Sequence, residues 1–434
     1  MLDIKFIRNN PDVVRADLKK RMDQEKLEWL EDLLQKDIEY RKLLQEVERL
    51  RAERNKITKE IADSIKKGEK TRTEELKKKA STIPEQIKEA EKRMEEIQEK
   101  VKFYLMRLPN ILHESVPQGK DENDNQVVRT WGTPKKKEEY SFELKSHVDL
   151  LPIIKGAELE KAAEVSGARF YYLMNDLVLL DMAIQKMAMD VIVKKGFIPI
   201  YPPFMLKRKP YEGVTDLADF ENVMYKIENE DLYLIATSEH PIAAMKMNEI
   251  IDENELPLKY VGLSTCFRKE AGAHGKDTKG IFRVHQFNKI EQFVFCKPED
   301  SWRIHEELIK NAEEIFQMLE IPYRIVNICT GEIGIVAAKK YDLEAWMPVQ
   351  NTYREMVSCS NCTSYQATRL NIKYGKVGGE KEYVHTLNST AIATPRAIVA
   401  IIENHQQADG SVKIPKALIP YFGKDTISPN EIKK

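Results

Sequence analysis

Along residues 76–108, apolar side chains return at alternating spacings of four and three: Leu76, Ala80, Ile83, Ile87, Ala90, Met94, Ile97, Val101, Tyr104 and Leu108. That period is the seam of a coiled coil, because it keeps one stripe facing a partner helix. The preceding stretch repeats the pattern less cleanly through Tyr40, Leu43, Val47, Leu50, Ile57 and Ile61, with Arg54 in the seam. Between the two lies KKGEKT, residues 66–71, with the region's only glycine. A turn there folds residues 27–108 back on themselves as an antiparallel helical hairpin. Roughly 35 residues per arm, at ~1.5 Å each, gives arms on the order of 50 Å. Pro84 either kinks the second helix or marks its first turn. A small leading segment, residues 1–25, carries a short helix after Asn10-Pro11.

The pattern then changes. Residues 109–134 are polar, with Pro117, Gly119, Gly132 and the run DENDN, and read as a linker to a second domain over residues 135–434. Helical periodicity runs through residues 159–195, with GARFYYL as a strand in its middle and a long apolar-faced helix over 176–195. GFIPIYPPFM reads as a strand whose Pro199, Pro202 and Pro203 favour an edge or bulged position. LYLIATSEH, residues 232–240, is a strand running into a helix capped by Thr237 or Ser238. Residues 323–326 and 335–338 read as strands, and 302–319 as an amphipathic helix. HTLNSTAIATPRAIVAII, from His385, is a strand entering a helix with Pro395 in its first turn. The predicted class is α+β: a helical hairpin followed by an antiparallel sheet flanked by helices.

The stretch with the most chemistry is STCFRKEAGAHGKDTKGIFRVHQFNKIEQFVF, residues 264–295. Two β-prone segments flank a loop, Glu270–Gly280, which predicts a hairpin with a long tip. Arg268 and Glu270 sit two apart, so a strand would put them on one face. Arg283, Phe287 and Glu291 return on the partner strand. Guanidinium forks suit phosphate, a ring face suits a base, and carboxylates suit amino groups. From the hairpin alone, a nucleotide site and a salt-bridged surface hairpin are both open.

Charge adds one local feature. Lys+Arg is 69 and Asp+Glu is 70, a net charge of −1 over 434 residues, so bulk charge does not announce a nucleic acid. The hairpin tip is basic, however: Lys66, Lys67, Lys70, Arg72, Lys77, Lys78 and Lys79 stand against Glu69, Glu74 and Glu75. The five cysteines, an odd and sparse count, argue against a disulfide scaffold and for a reducing compartment. Cys359 and Cys362 form a lone CxxC without the further ligands zinc would need. MLDIKFIRNN carries no signal-peptide core, and no apolar run approaches ~18–20 residues, so a soluble cytoplasmic protein without membrane contact is expected.

FRKEAG…RVHQF…E resembles motif 2 of class II aminoacyl-tRNA synthetases, in the form found in seryl-tRNA synthetases. The helix and GFIPIYPPFM resemble motif 1, which builds a homodimer interface. NSTA followed by Pro395-Arg396 resembles motif 3, although Ser389 and Ala391 stand where the common NGSG form has glycines. DLEAWMP and EMVSCSNC also match the family. The resemblance implies that ATP and L-serine form seryl-adenylate, and that the seryl group passes to the 3′ end of tRNA(Ser), with tRNA(Sec) open as a second acceptor. The basic hairpin would hold the tRNA. Arg268 and Arg396 would be the catalytic pair. The ATP set would be Arg268, Lys269, Glu270, Arg283, Val284, Phe287, Glu355, Met356, Val357, Ser358 and Arg396. Glu355 and Ser358 would carry Mg²⁺ with ATP. Thr237, Ser238, Glu239, Arg268, Glu291, Asn388 and Thr390 would line the serine pocket. Two alternatives stay open: a ligase that loads an amino acid onto a carrier protein, and a non-catalytic RNA-binding relative.

Overall fold

The computed structural model describes residues 1–216, 223–270, 279–376 and 378–429. They group into two compact units, residues 2–108 and the chain from Pro109 onward, which also takes Met1.

In the first unit, short helices over Ile4–Asn9 and Pro11–Lys20 precede α1 (Gln24–Lys67) and α2 (Lys70–Leu105). Asp23 caps α1 by accepting the Lys26 N–H at 3.0 Å. Gly68 ends it at φ +75°, where a side chain would be strained, and the Glu69 N–H closes on the Ser64 carbonyl at 3.0 Å. The buried Ser64 and Thr73 hydroxyls, 3.0 Å apart, tie the two arms together at the tip. Val47, Leu50 and Ile57 pack against Ile83, Ile87 and Ala90, as the period predicts. Each fully buried large apolar side chain contributes about 1.5–3 kcal/mol. Two readings are corrected. Arg54, in the phase of the seam, is exposed rather than buried in it, since burying a charge is costly. Pro84 lies inside α2, which starts fourteen residues earlier at Lys70, so it does not mark the first turn.

The second unit is built on a sheet of eight strands. In chain order these are β1 (Gln126–Trp131), β2 (Ile198–Ile200), β3 (Leu258–Phe267), β4 (Gln286–Cys296), β5 (Tyr323–Asn327), β6 (Lys339–Met347), β7 (Thr352–Asn361) and β8 (His385–Ala393). Across the sheet they run β1-β5-β6-β7-β8-β4-β3-β2. Only β2 with β3 is parallel. Pro199 lies in the edge strand β2, where one side of the ladder needs no donor.

Strand β4 shows how the sheet is used. Its side chains alternate between faces. Ile290, Val294 and Cys296 enter a core with α3 (Asp176–Val193), α4 (Ser301–Met318) and α5 (Thr394–Asn404). Phe293 and Phe295 enter a second core with Tyr211, Tyr233 and Ile242. Phe287, Lys289 and Glu291, in the same phase, face the cleft.

Local reading also failed in places. Residues 126–131, inside the predicted linker, form β1, because their ladder partner β5 lies about 200 residues away. Residues 335–338 are not a strand; β6 begins at Lys339, and Ile335–Ala337 form cleft wall instead. In GARFYYL only Tyr172–Leu173 is strand, and in LYLIATSEH only Tyr233–Leu234. Ser238 precedes the helix Glu239–Ala244 without a side-chain cap bond; the Thr237 hydroxyl accepts the Glu239 N–H at 3.2 Å.

Candidate active site

The cleft lies over β4, β7 and β8 and encloses about 380 Å³. Polar side chains divide it into two ends.

At one end two carboxylates meet. Thr390 and Glu291 are cross-strand partners, and the Thr390 hydroxyl donates to Glu291 Oε2 at 3.1 Å. Lys289 Nζ lies 2.6 Å from the same oxygen. Glu239 Oε1 accepts from Gln366 Nε2 at 2.8 Å and from Asn388 Nδ2 at 3.0 Å. Burial, and then the neighbouring Glu291, pushes the Glu239 carboxyl up to about 7. His240, beside it, bonds Tyr211 Oη at 3.0 Å. Burial, then Lys289 and Arg268, lowers the His240 imidazole to about 3, so it is neutral here. Thr237 and Cys362 complete this end.

At the other end guanidinium groups converge. Arg268 stands 5.3 Å over the Phe287 ring, and its Nε donates to the Ala236 carbonyl at 3.4 Å. Arg283 pairs with Glu270 at 3.2 Å. Arg396, in the first turn of α5, donates to the Glu355 carbonyl at 2.9 Å and lies 5.1 Å over Phe282. Burial lowers the Arg396 pKa; Glu355 opposes the shift, and the charges of Arg268 and Arg283 add to it. Burial works against the charge of Glu355 in turn, but Arg396, Lys340, Arg268 and Arg283 hold its carboxyl below the usual range. Three guanidinium groups in one cleft, two of them already beside Glu270 and Glu355, offer donor forks that match phosphate oxygens.

Two bulges set the phase of this lining. On a regular strand Glu355 and Ser358, three apart, would face opposite ways. The register shifts between Glu355 and Val357, leaving Met356 as the extra residue, and both side chains face the cleft. A second shift at Ala391 puts Asn388, Thr390 and Ala393 on the same wall.

Of the expected residues, Thr237, Glu239, Arg268, Glu270, Arg283, Val284, Phe287, Glu291, Glu355, Met356, Ser358, Asn388, Thr390 and Arg396 line this one cleft. Three do not. Lys269 is held by its backbone N–H on the Val223 carbonyl at 2.9 Å. Val357 belongs to the apolar core. Ser238 is fully buried, its hydroxyl packed where a side chain on Gly262 would sit. Glu270 and Arg268 share the cleft although they follow the end of β3, and Glu270 takes φ +49° rather than a strand conformation. The loop tip, residues 271–278, lies outside the described residues. Sequence reading missed Lys289, Lys340, His240 and Phe282. Lys289 had a signal: it lies two residues from both Phe287 and Glu291, in the same strand phase.

Comparison with known proteins agrees with this geometry. A family model of the tRNA synthetase class II core domain (G, H, P, S and T) matches residues 223–405, and one of the seryl-tRNA synthetase N-terminal domain matches residues 1–112. The serine–tRNA ligase of Methanocella arvoryzae is 62% identical, over 97% of this chain and 99% of that protein. The crystal structure of the Pyrococcus horikoshii seryl-tRNA synthetase complexed with ATP superposes with a TM-score of 0.94 at 55% identity, covering 99% of this chain and 100% of that one. The cytoplasmic serine–tRNA ligase of Naegleria fowleri, solved with AMP, gives 0.89 at 39% identity, covering 99% of both chains. With both of its segments matched by family models and relatives aligned along nearly its full length, the chain belongs to the seryl-tRNA synthetases.

Proposed function

We propose that the cleft binds ATP across its arginines and L-serine against Glu239 and Glu291, and that the serine carboxylate attacks the α-phosphate. The products are seryl-adenylate and pyrophosphate; the seryl group then passes to the 3′ end of tRNA(Ser). The observation that carries this is the convergence of Arg268, Arg283 and Arg396 beside a pocket with two carboxylates. The substrate supplies the nucleophile, so the protein's task is positioning and charge neutralisation.

Arg268 lies between the two ends and holds the α-phosphate and the serine carboxylate. Arg396 and Arg283 take the outer phosphates, Phe287 stacks on adenine, and Glu270 meets its amino group. Glu239 and Glu291 take the serine ammonium and hydroxyl, with Thr237, Asn388 and Thr390 around them. Glu355 and Ser358, brought to one face by the bulge, are a fit for Mg²⁺: one carboxylate and one hydroxyl suit an ion held mainly by phosphate and water oxygens. That ion would neutralise charge on the ATP phosphates.

The hairpin tip supports a tRNA-holding role: Lys66, Lys67, Lys70, Arg72, Lys77, Lys78 and Lys79 are all exposed. Such groups read phosphate and shape rather than base sequence. Whether tRNA(Sec) is also an acceptor is decided by charging it directly. A homodimer is supported by the exposed apolar side chains Val178, Leu179 and Met182 on α3, with Ile198 and Tyr201 at the β2 edge. No helix among the described residues is long and apolar enough to cross a membrane.

Amino-acid-dependent ATP–pyrophosphate exchange, run with all twenty amino acids and no tRNA, tests the reading. Exchange with serine alone is expected. Exchange with another small amino acid would overturn the pocket assignment, and none at all, with or without tRNA, would overturn the activity.

A further inference from the structure

GARF, residues 167–170, joins the helix Glu160–Ser166 to the strand Tyr172–Leu173 and makes bonds that the proposed site leaves unused. Arg169 is held at φ +64°, a strained conformation for a residue with a side chain. From this turn, Arg169 Nη1 donates to the Glu270 carbonyl at 3.2 Å. The Arg169 carbonyl accepts the His285 N–H at 3.1 Å. The Phe170 ring stacks on the His285 imidazole, centroids 5.1 Å apart and planes at 24°.

His285 passes the constraint on. Its carbonyl accepts the Arg268 N–H at 2.9 Å, and its Nδ1 lies 2.7 Å from the Arg268 carbonyl. A carbonyl only accepts, so Nδ1 carries the proton. The Tyr225 hydroxyl lies 2.9 Å from the same nitrogen. Both roots of the long loop, Arg268–Glu270 going out and Arg283–His285 returning, are therefore fastened to one turn. These roots carry three of the groups assigned to ATP, and Glu270 is itself in the left-handed region at φ +49°.

We infer that Arg169 is a positioning residue for the nucleotide: by holding the Glu270 carbonyl it sets where the Glu270 carboxylate meets the 6-amino group of the purine. The inference rests on the assignment of Glu270 to adenine above. Glu239, Glu291 and Thr390 of the serine end lie on neither this turn nor the two loop roots; Arg268, shared by both substrates, is on a root, but the Arg169 side chain grips the Glu270 carbonyl, so the larger effect falls on ATP.

The test is pyrophosphate exchange with ATP and with purine riboside triphosphate, which lacks the 6-amino group. Arg169→Ala is expected to raise the KM for ATP about tenfold, the loss of one charge-assisted hydrogen bond. It should move the serine KM far less than the ATP KM and shrink the preference for ATP over the purine analogue; Arg169→Lys should restore part of that preference. Glu270→Ala is run beside it. If Glu270→Ala loses the preference and Arg169→Ala keeps it, the inference is overturned while the adenine assignment stands. If Glu270→Ala keeps the preference, the adenine assignment fails and the inference with it. Equal rises in both KM values would mean general loosening and would also overturn it. Should Arg169→Ala fail to fold, Arg169→Lys carries the test, with an intermediate preference expected and a wild-type one overturning the inference.

Discussion

Thr390 and Glu291 meet across β8 and β4, and the oxygen that accepts the Thr390 hydroxyl is the one that lies 2.6 Å from Lys289. Both charged side chains of that pair are nearly closed to solvent, at 7% and 2% exposure. Glu291→Ala therefore removes a proposed serine ligand and leaves Lys289 without its counter-charge. The expected cost is about 3 kcal/mol of stability, read by thermal or urea unfolding, from breaking a buried pair. Glu291→Gln keeps the shape and restores part of that stability. In both variants serine-dependent exchange should fall by about a hundredfold or more, because the pocket can no longer satisfy the substrate's polar groups. Wild-type exchange in either would remove Glu291 from the pocket.

Glu239 gives a pH prediction. Its carboxyl is raised in the folded protein to about 7, against 4.5 for an unperturbed glutamate. The folded state then holds the proton more tightly than the unfolded chain between these values, so this group's share of stability is present below 4.5 and is lost as pH rises through 7. Serine's ammonium favours the ionised carboxylate. Serine affinity is expected to fall about tenfold per pH unit below the carboxyl's pKa, with proton release on binding. Calorimetry in two buffers of different ionisation enthalpy reads the released proton, and Glu239→Gln should abolish it.

Arg268 sits where the two ends of the cleft join. Arg268→Ala should lower adenylate formation by about a thousandfold, the scale of removing a positioned charge from a transition state. Binding of tRNA, measured by filter retention, should be unchanged. Parallel loss of both would mean that the variant is misfolded or the role is wrong.

The hairpin tip separates the two steps. Replacing Lys77, Lys78 and Lys79 by glutamate should weaken tRNA charging and flatten the dependence of tRNA affinity on salt, by about one unit of slope for each phosphate no longer neutralised. Exchange without tRNA should be untouched. Full charging at physiological salt would show that the tip does not hold tRNA.

Much of this was legible in the chain. The seam of Ile83, Ile87 and Ala90, the glycine that turns the hairpin, the edge position of Pro199 and Pro395 at the start of α5 are all local. Each depends on a period or a backbone constraint within a few residues. The motif spacing also named most of the cleft, because Arg268, Glu270 and Arg283 flank one loop and Phe287 and Glu291 follow in strand phase.

Distant partners decided the rest. Residues 126–131 become a strand only because β5 offers its open edge. Ser238 turns away from the cleft because Gly262, on β3, leaves room for its hydroxyl. Glu355 and Ser358 share a face only because Met356 bulges against β6, and Thr390 reaches Glu291 through the register of β8 on β4. The sequence by itself determined the helical arms, the reaction family and the residue types at the cleft. Tertiary structure alone decided which of those residues face one another, because strand register is set by pairing between segments far apart in the chain and a one-residue shift turns every side chain to the other face.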